Sequence, residues 1–162
     1  MSWQSLVTIG ILVLRPAREA HRDAKPIRSS DMTHDIRWKQ RFHHFEKALL
    51  LLEQAMRIKD PNMIERAGMN QFFEMNSELA WNLIKDYLED EGFIDIQTPK
   101  DAIKKGFEIN LIKDGQAWME LLTDRNLTSH TYDEQTAIEV EGLIFNQYYP
   151  LLIDLYENFK RK

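Results

Sequence analysis

The sequence contains no cysteine, and only 6 of its 162 residues are glycine and 5 are proline. Without cysteine, disulfide bonds and thiolate metal sites are excluded, and a reducing cytoplasm is the expected location. Few glycines and prolines leave few turn signals, which favours long helices over many short strands. Hydrophobic residues make up 43% of the chain and charged residues 29%, a balance typical of a globular domain.

The sequence also lacks an excess of positive charge and a membrane-length hydrophobic run. Its net charge of -5 is unusual for a protein that wraps nucleic acid, because phosphate neutralisation supplies most of that affinity. Any phosphate-bearing ligand must therefore meet a local cluster of positive groups. The apolar run LVTIGILVL at residues 6–14 is too short to span a bilayer, which takes roughly 20 residues. We therefore expect no membrane association.

Residues 1–31 differ in character from the rest of the chain. The segment MSWQS before the apolar run lacks the positive charge of a signal peptide, and no small-residue cleavage site follows cleanly. The polar, basic stretch after the run has no helical periodicity, whereas Met32 resembles an ordinary protein start. We interpret residues 1–31 as an over-called start or a mobile N-terminal extension, and residues 32–162 as one domain. An added strand or helix at an interface is the alternative for the extension.

The two longest helices are predicted in the first half of this domain. From Trp38 onward, apolar residues recur every three or four positions, as they do along one side of a helix. The first helix is expected to stop near Asp60. With Asp60 as N-cap and Pro61 at the first helical position, the second helix should run to about Glu89. Gly92 then provides a C-terminal stop.

Three more helix starts follow. The segment TPKD at residues 98–101 combines a threonine cap, a first-turn proline and an acid at N3. Asp114 is expected to cap another short helix. Thr131 begins a TYDE capping box, which predicts a last helix from there towards the C-terminus, kinked at Pro150. With short connections, the pattern predicts an all-α, up-and-down antiparallel bundle of three long and two shorter helices.

The main candidate for function is the segment DRNLTSHTY at residues 124–132, at the hinge between two predicted helices. The free amides of a helix N-terminus favour a phosphate there. Arg125 offers a planar, permanently charged fork for phosphate oxygens, and His130 has an ordinary pKa suited to proton transfer near neutrality. On one continuous helix the two would lie about 140° apart. A break between them, or a second chain, is therefore needed to bring them together.

Other motifs and residue clusters in the sequence give weaker evidence of function. The sequence has no glycine-rich phosphate loop, nucleophile elbow or H-E-x-x-H motif. His43 and His44 are adjacent and would point about 100° apart on a helix, so we predict no metal site. No cofactor is predicted either. Glu74 and Glu78 lie one helical turn apart and could add polar groups to the cleft, although a solvated or salt-bridged surface is the commoner role of such a pair.

The segment RNLTSHTY at residues 125–132 resembles the R-x4-H-x-Y motif of HepT-type toxins in the HEPN superfamily. Three more blocks agree in order and spacing with the small bacterial nucleotidyltransferase substrate-binding proteins: RWKQRF at 37–42, ELAW at 78–81 and WME at 118–120. The resemblance covers Met32 to the C-terminus. It implies a HEPN-like four-helix bundle with an extra short helix, a homodimer with two motifs facing one cleft, and a minimal nucleotidyltransferase encoded nearby as partner.

The resemblance implies two functional pictures for the motif. In the first, the chain is a metal-independent ribonuclease toxin: His130 is the general acid or base, Arg125 stabilises phosphate charge and Asn126 orients Arg125 or the RNA. The partner then silences it by adenylylating Tyr132. In the second, Arg125 and Thr131 hold a nucleotide or an acceptor phosphate while the partner performs the transfer. A third reading is a dimeric scaffold whose motif has lost activity.

Overall fold

The fold is a bundle of helices, seen here in a computed structural model that describes residues 29–130 and 132–162. Side chains are described for residues 37–126, 128 and 132–162. Within these residues there is no strand, which agrees with the predicted all-α class. In chain order the elements are α1 (Ser29–Met56), α2 (Met63–Asp90), α3 (Pro99–Glu108), α4 (Gly115–Asp124), a 3-10 segment (Arg125–His130), α5 (Glu134–Leu143), a π turn (Ile144–Tyr148) and α6 (Tyr149–Lys160).

The N-terminal extension predicted at residues 1–31 lies outside the described residues, except for positions 29–31, which belong to α1. The boundary at Met32 stays a prediction. Among the described residues, no helix is long and apolar enough to cross a membrane.

The start of α2 is capped by Asn62. Its side-chain oxygen accepts hydrogen bonds from two first-turn amides at 2.9 and 3.0 Å, and Glu65 accepts one from the Asn62 N–H at 2.8 Å. The prediction that Asp60 is the cap and Pro61 the first helical residue was wrong. Asp60 adopts a left-handed φ of 51°. Met63, three residues after Asp60, has no side-chain oxygen to accept a bond from the N–H of the cap, whereas Glu65, three residues after Asn62, has one.

The next two helix starts were predicted correctly. The Thr98 hydroxyl accepts from the Asp101 N–H at 3.2 Å, and the Asp101 carboxylate accepts from the Thr98 N–H at 2.9 Å. Asp114 caps α4 by accepting from the Ala117 N–H at 2.9 Å. Gly92, just past α2, has a φ of 88°, the left-handed conformation that glycine adopts without a steric penalty.

The start of α5 departs from the prediction. Thr131, the expected cap, lies outside the described residues, and the helix begins instead at Glu134 with Asp133 as N-cap. The Asp133 carboxylate accepts from the N–H and the hydroxyl of Thr136, both at 2.8 Å. A first-turn threonine that can bond the aspartate twice therefore favours a later start than the capping-box pattern predicts.

The predicted disturbance at Pro150 takes the form of a π turn. The Tyr149 N–H bonds the carbonyl of Ile144, and α6 begins with Pro150 in its first turn. Proline has no N–H to donate, and a wider turn ahead of it lets helix continue without the steric clash. The helical run from α5 to α6 therefore serves as the third long helix.

Contacts between helices show the relative directions of the helices in the bundle. Trp38, near the start of α1, donates to Asp90 at the end of α2 at 3.1 Å. Further along, Asn76 donates to the carbonyl of Ala48 at 2.9 Å, so α1 and α2 are antiparallel. On the other side of the core, α6 packs against α1, with the rings of Phe159 and Trp38 5.7 Å apart.

One continuous core joins these helices. Its largest fully buried side chains come from α1 to α4, from the π turn and from α6: Trp118, Tyr148, Phe45, Phe73, Leu52, Leu83, Ile84, Leu88, Ile103, Leu121, Ile144 and Leu152. The ring of Phe73 on α2 stacks on that of Tyr148 in the π turn, with centroids 5.5 Å apart. This packing holds the middle of α2 against the helix that follows the candidate segment.

Candidate functional site

The predicted hinge is the 3-10 segment that continues directly from α4. Its first residue, Arg125, is the C-cap of α4, and its backbone N–H bonds the carbonyl of Leu121. A 3-10 helix turns by about 120° per residue, so positions 125 and 130 lie about 120° apart around it. The change of helix type therefore does not by itself bring Arg125 and His130 to one side.

A surface groove with a volume of about 610 Å³ lies between α2 and the 3-10 segment. That volume is within the range of roughly 300–1,000 Å³ usual for small-molecule sites. The floor combines apolar and polar groups from α2, and the 3-10 segment forms one wall. The described residues that line it are Gln71, Glu74, Met75, Glu78, Leu79, Arg125, Asn126 and Thr128.

Arg125 makes an ion pair across this groove. Its Nη1 donates to Oε2 of Glu78 at 2.9 Å, and the two side chains are 35% and 52% exposed. Only one nitrogen of the guanidinium takes part, so this is not the bidentate arrangement that makes arginine–carboxylate pairs strong.

The carboxylate of Glu78 is held ionised. Asn82 donates to its other oxygen at 2.9 Å. Burial raises the pKa of Glu78, but the neighbouring donors of Trp81, Arg125 and Asn82 lower it by more, so the pKa lies below its usual value. Since the Trp81 indole N–H has no hydrogen bond of normal geometry, Arg125 and Asn82 are the groups that hold the carboxylate in place.

A second contact attaches the 3-10 segment to α2. The buried hydroxyl of Thr128 bonds the carboxylate of Glu74, one helical turn before Glu78. The same hydroxyl lies 2.6 Å from the Arg125 carbonyl, which closes the turn locally. The segment is therefore anchored at a buried point, whereas the Arg125 side chain is bonded at an exposed one.

The end of α4 is tied to the π turn. The buried hydroxyl of Tyr148 donates to the carboxylate of Asp124, the last residue of α4. Burial raises the pKa of Tyr148, and the Asp124 carboxylate raises it further. This contact fixes where the 3-10 segment begins.

The other predicted site residues are only partly described. Asn126 is exposed and lines the groove, and its supporting role stays a prediction. Tyr132 is 77% exposed and is not among the described residues that line the groove. The side chain of His130, and Thr131 as a whole, lie outside the described residues. Their predicted roles therefore stay predictions.

Sequence reasoning missed part of the groove. Gln71, Met75 and Leu79 were not singled out, although their spacing of four places them along one side of a helix. Thr128 lies within the motif, but no role was predicted for it. Glu74 and Glu78 were considered, and the structure shows that Glu78 both lines the groove and forms a salt bridge. Among the described residues, no three histidine, aspartate or glutamate side chains converge on a metal-sized site.

Comparisons with known proteins agree with the resemblance. A family model described as nucleotidyltransferase substrate binding protein like matches residues 40–161. A protein of Haemophilus influenzae described as "Probable ribonuclease HepT" is 33% identical in an 82-residue alignment that covers 48% of this chain and 56% of that protein. The match thus spans just over half of that relative's length.

Two solved structures share the fold. A crystal structure of a Thermus thermophilus protein has a TM-score of 0.63 and 29% identity, over 68% of this chain and 94% of that one. A Haemophilus influenzae structure has a TM-score of 0.58 and 24% identity, over 78% of this chain and 98% of that one. It is described as revealing the fold of a substrate binding domain of a nucleotidyltransferase. Because the family model matches residues 40–161, which is more than half of the chain, this chain belongs to the nucleotidyltransferase substrate binding protein like family.

Proposed function

We propose that this protein is the HepT-like component of a two-gene module with a minimal nucleotidyltransferase, and that it acts as a metal-independent ribonuclease. The observation that carries the proposal is the position of Arg125. Its side chain is 35% exposed at the wall of a groove of about 610 Å³, and its guanidinium pairs with Glu78 through one nitrogen. A permanently charged planar fork of this kind is suited to phosphate oxygens.

The chemistry proposed for the motif is cleavage of an RNA phosphodiester. His130 accepts the proton of a ribose 2′-hydroxyl as its oxygen bonds to phosphorus, and an acid returns a proton to the departing 5′-oxygen. Arg125 stabilises the charge that grows on the phosphate, and Asn126 orients Arg125 or the RNA. Because positions 125 and 130 lie about 120° apart around the 3-10 segment, a homodimer with two motifs facing one cleft would let Arg125 of one chain work with His130 of the other.

Tyr132 is the proposed target of the partner. Its side chain is 77% exposed, so the nucleotidyltransferase can reach the hydroxyl. Attack of that hydroxyl on the α-phosphorus of ATP forms a tyrosine–AMP ester and releases pyrophosphate. The added phosphate is negatively charged and lies two residues from His130, where it would block the cleft and compete for Arg125.

The lining of the groove supports a second candidate. Glu74 and Glu78 place two carboxylates in the groove, and the whole chain carries a net charge of -5. Such a surface repels a long RNA backbone but tolerates a single nucleotide. In this picture Arg125 and Thr131 hold a nucleotide or acceptor phosphate while the partner nucleotidyltransferase performs the transfer, and this chain cleaves nothing.

RNA cleavage by the purified chain without its partner separates the two candidates. The ribonuclease proposal predicts cleavage in EDTA that His130→Ala abolishes and that His44→Ala, a change at an exposed position on α1, leaves intact. If the chain binds AMP through Arg125 but cleaves no RNA, the substrate-binding candidate replaces the ribonuclease. If it neither cleaves RNA nor binds AMP, both candidates fail, and the dimeric scaffold is the remaining candidate.

A further inference from the structure

The ion pair between Arg125 and Glu78 engages the guanidinium to which the proposed function assigns a phosphate. A carboxylate and a phosphate present similar pairs of oxygens to a guanidinium, so the two are alternative partners for the same nitrogens. The bond measures 2.9 Å, and Glu78 is prearranged for it by the 2.9 Å bond from Asn82. With a pKa below its usual value, Glu78 keeps its charge at neutral pH.

We propose that Glu78 is an electrostatic latch: its carboxylate occupies Arg125 in the ligand-free protein, and a phosphate-bearing ligand binds only by displacing it. This inference rests on the proposed function, because it takes Arg125 to be the phosphate-binding residue. It applies equally to the ribonuclease and to the substrate-binding candidate, since both need Arg125 for a phosphate.

The exposure of the pair lets the latch open. Side chains that are 35% and 52% exposed can exchange their mutual bond for bonds to water or to a ligand at little cost. The part-buried bond between Thr128 and Glu74 does not involve Arg125 or Glu78, so it is independent of this exchange. The 3-10 segment therefore stays attached to α2 while the Arg125 side chain changes partner.

The latch should discriminate between ligands by charge and by additional contacts. A phosphate must break the ion pair before it can bond the guanidinium, and this lowers its affinity by a small factor. For a small anion with no further contacts, that factor reduces an already weak affinity. A nucleotide is better able to displace Glu78, because its base and ribose gain further contacts in the groove along Met75 and Leu79.

The test is the affinity for 5′-AMP, measured by isothermal titration calorimetry at low ionic strength in four proteins: wild type, Glu78→Gln, Arg125→Gln and the double variant. Glu78→Gln should tighten AMP binding about two- to fivefold, the range expected when one exposed ion pair no longer competes. In the Arg125→Gln background the same change should have no effect. The matched control is Glu91→Gln, which removes an exposed carboxylate at the end of α2.

The outcomes separate the latch from the function on which it rests. If Arg125→Gln does not weaken AMP binding, the phosphate-binding role of Arg125 fails, and the latch fails with it. If Arg125→Gln weakens binding but Glu78→Gln does not tighten it, only the latch is overturned. Equal tightening by Glu91→Gln, or tightening that persists without Arg125, would show a general effect of net charge and would also overturn it. Matching thermal unfolding curves confirm that each variant is folded, and no measurable binding by either wild type or Glu78→Gln counts against the latch.

Discussion

Two carboxylates on α2 bind arginine in different surroundings. Asp86 lies near the end of the helix with its side chain 6% exposed, and it is bonded by Arg37 at 3.3 Å and by Arg41 at 2.5 Å, both from α1. Glu78, two turns earlier, is 52% exposed and is bonded by Arg125 through one nitrogen. The same pair of chemical groups thus occurs once in a buried network and once at an open groove.

Burial of the carboxylate distinguishes two parts of α2: a structural part, where the ion pairs stabilise the fold, and an exchangeable part, where an ion pair can change partner. The Asp86 carboxylate is buried and bonds two arginines of α1, so this site stabilises the contact between α1 and α2. The Glu78 carboxylate is itself 52% exposed, so its bond to Arg125 can be exchanged for bonds to water or to a ligand. We therefore expect function at Arg125 and stability at Asp86.

The largest effect is expected for Arg125→Ala. Loss of a group that stabilises charge in the transition state should lower the proposed RNA cleavage by about 10²–10³-fold, whereas loss of one exposed ion pair should change the unfolding free energy by at most about 0.5–1 kcal/mol. Arg41→Ala is the matched variant: it should lower the unfolding free energy and leave cleavage per folded molecule unchanged. Cleavage assays paired with urea denaturation measure both quantities. Equal loss of cleavage in the two variants would remove the distinction between the sites.

Asp86→Ala should lower the unfolding free energy by about 2 kcal/mol. A fully buried pair costs roughly 3–5 kcal/mol to break, and the smaller figure allows for arginines that are 44% and 31% exposed. Asp154→Ala is the control, because its partner Lys113 is 3.6 Å away and the side chains are 61% and 81% exposed. Urea denaturation should show almost no change for the control; a loss as large as that of Asp86→Ala would contradict the role of burial.

Tyr148→Phe should cost about 1 kcal/mol, the usual contribution of one hydrogen bond, here the bond to Asp124. It also tests the pH dependence. Because the folded protein raises the pKa of Tyr148, the stabilisation from its neutral hydroxyl is fully present below the unfolded value of about 10 and is lost as pH rises from there through the folded value. Above pH 10 the unfolded tyrosine ionises while the folded one stays neutral, and this favours unfolding. The unfolding free energy of wild type should therefore fall more steeply above pH 10 than that of Tyr148→Phe, and an unchanged slope would argue against this contribution.

Glu78→Gln should have the smallest effect on stability. An exposed ion pair contributes at most about 0.5–1 kcal/mol, and 1 M salt should remove the difference from wild type. Because the folded protein lowers the pKa of Glu78, any stabilisation is present above the unfolded value of about 4.3 and is lost as pH falls through the folded value. A loss of stability approaching that of Asp86→Ala would show that Glu78 belongs to the structural part of α2.

The sequence predicted the helices because their signals are local. The caps at Thr98 and Asp114 and the stop at Gly92 depend on residues within one turn of each other. The starts of α2 and α5 were predicted wrongly because each has two candidate capping residues that stand two positions apart. In both cases the later candidate is the cap, since Glu65 accepts a bond from Asn62 and Thr136 donates one to Asp133.

The groove could be predicted only in part, because its two sides are distant in sequence. The motif identified Arg125 and Asn126, but the partners of the segment on α2 are far away in sequence: Glu78 is 47 residues from Arg125, and Glu74 is 54 residues from Thr128. Periodicity places Glu74 and Glu78 on one side of a helix and does not say which segment they face. That information comes from the packing of the bundle.

The most direct test of the central claim, that the segment around Arg125 and Tyr132 is where this protein works with a nucleotidyltransferase, is an intact-mass measurement. The chain is incubated with the adjacent-gene nucleotidyltransferase and ATP, with Tyr132→Phe in parallel. We predict a gain of one or more AMP units in wild type and none in Tyr132→Phe. No gain with a partner that demonstrably turns over ATP, or the same gain in Tyr132→Phe, would contradict the claim.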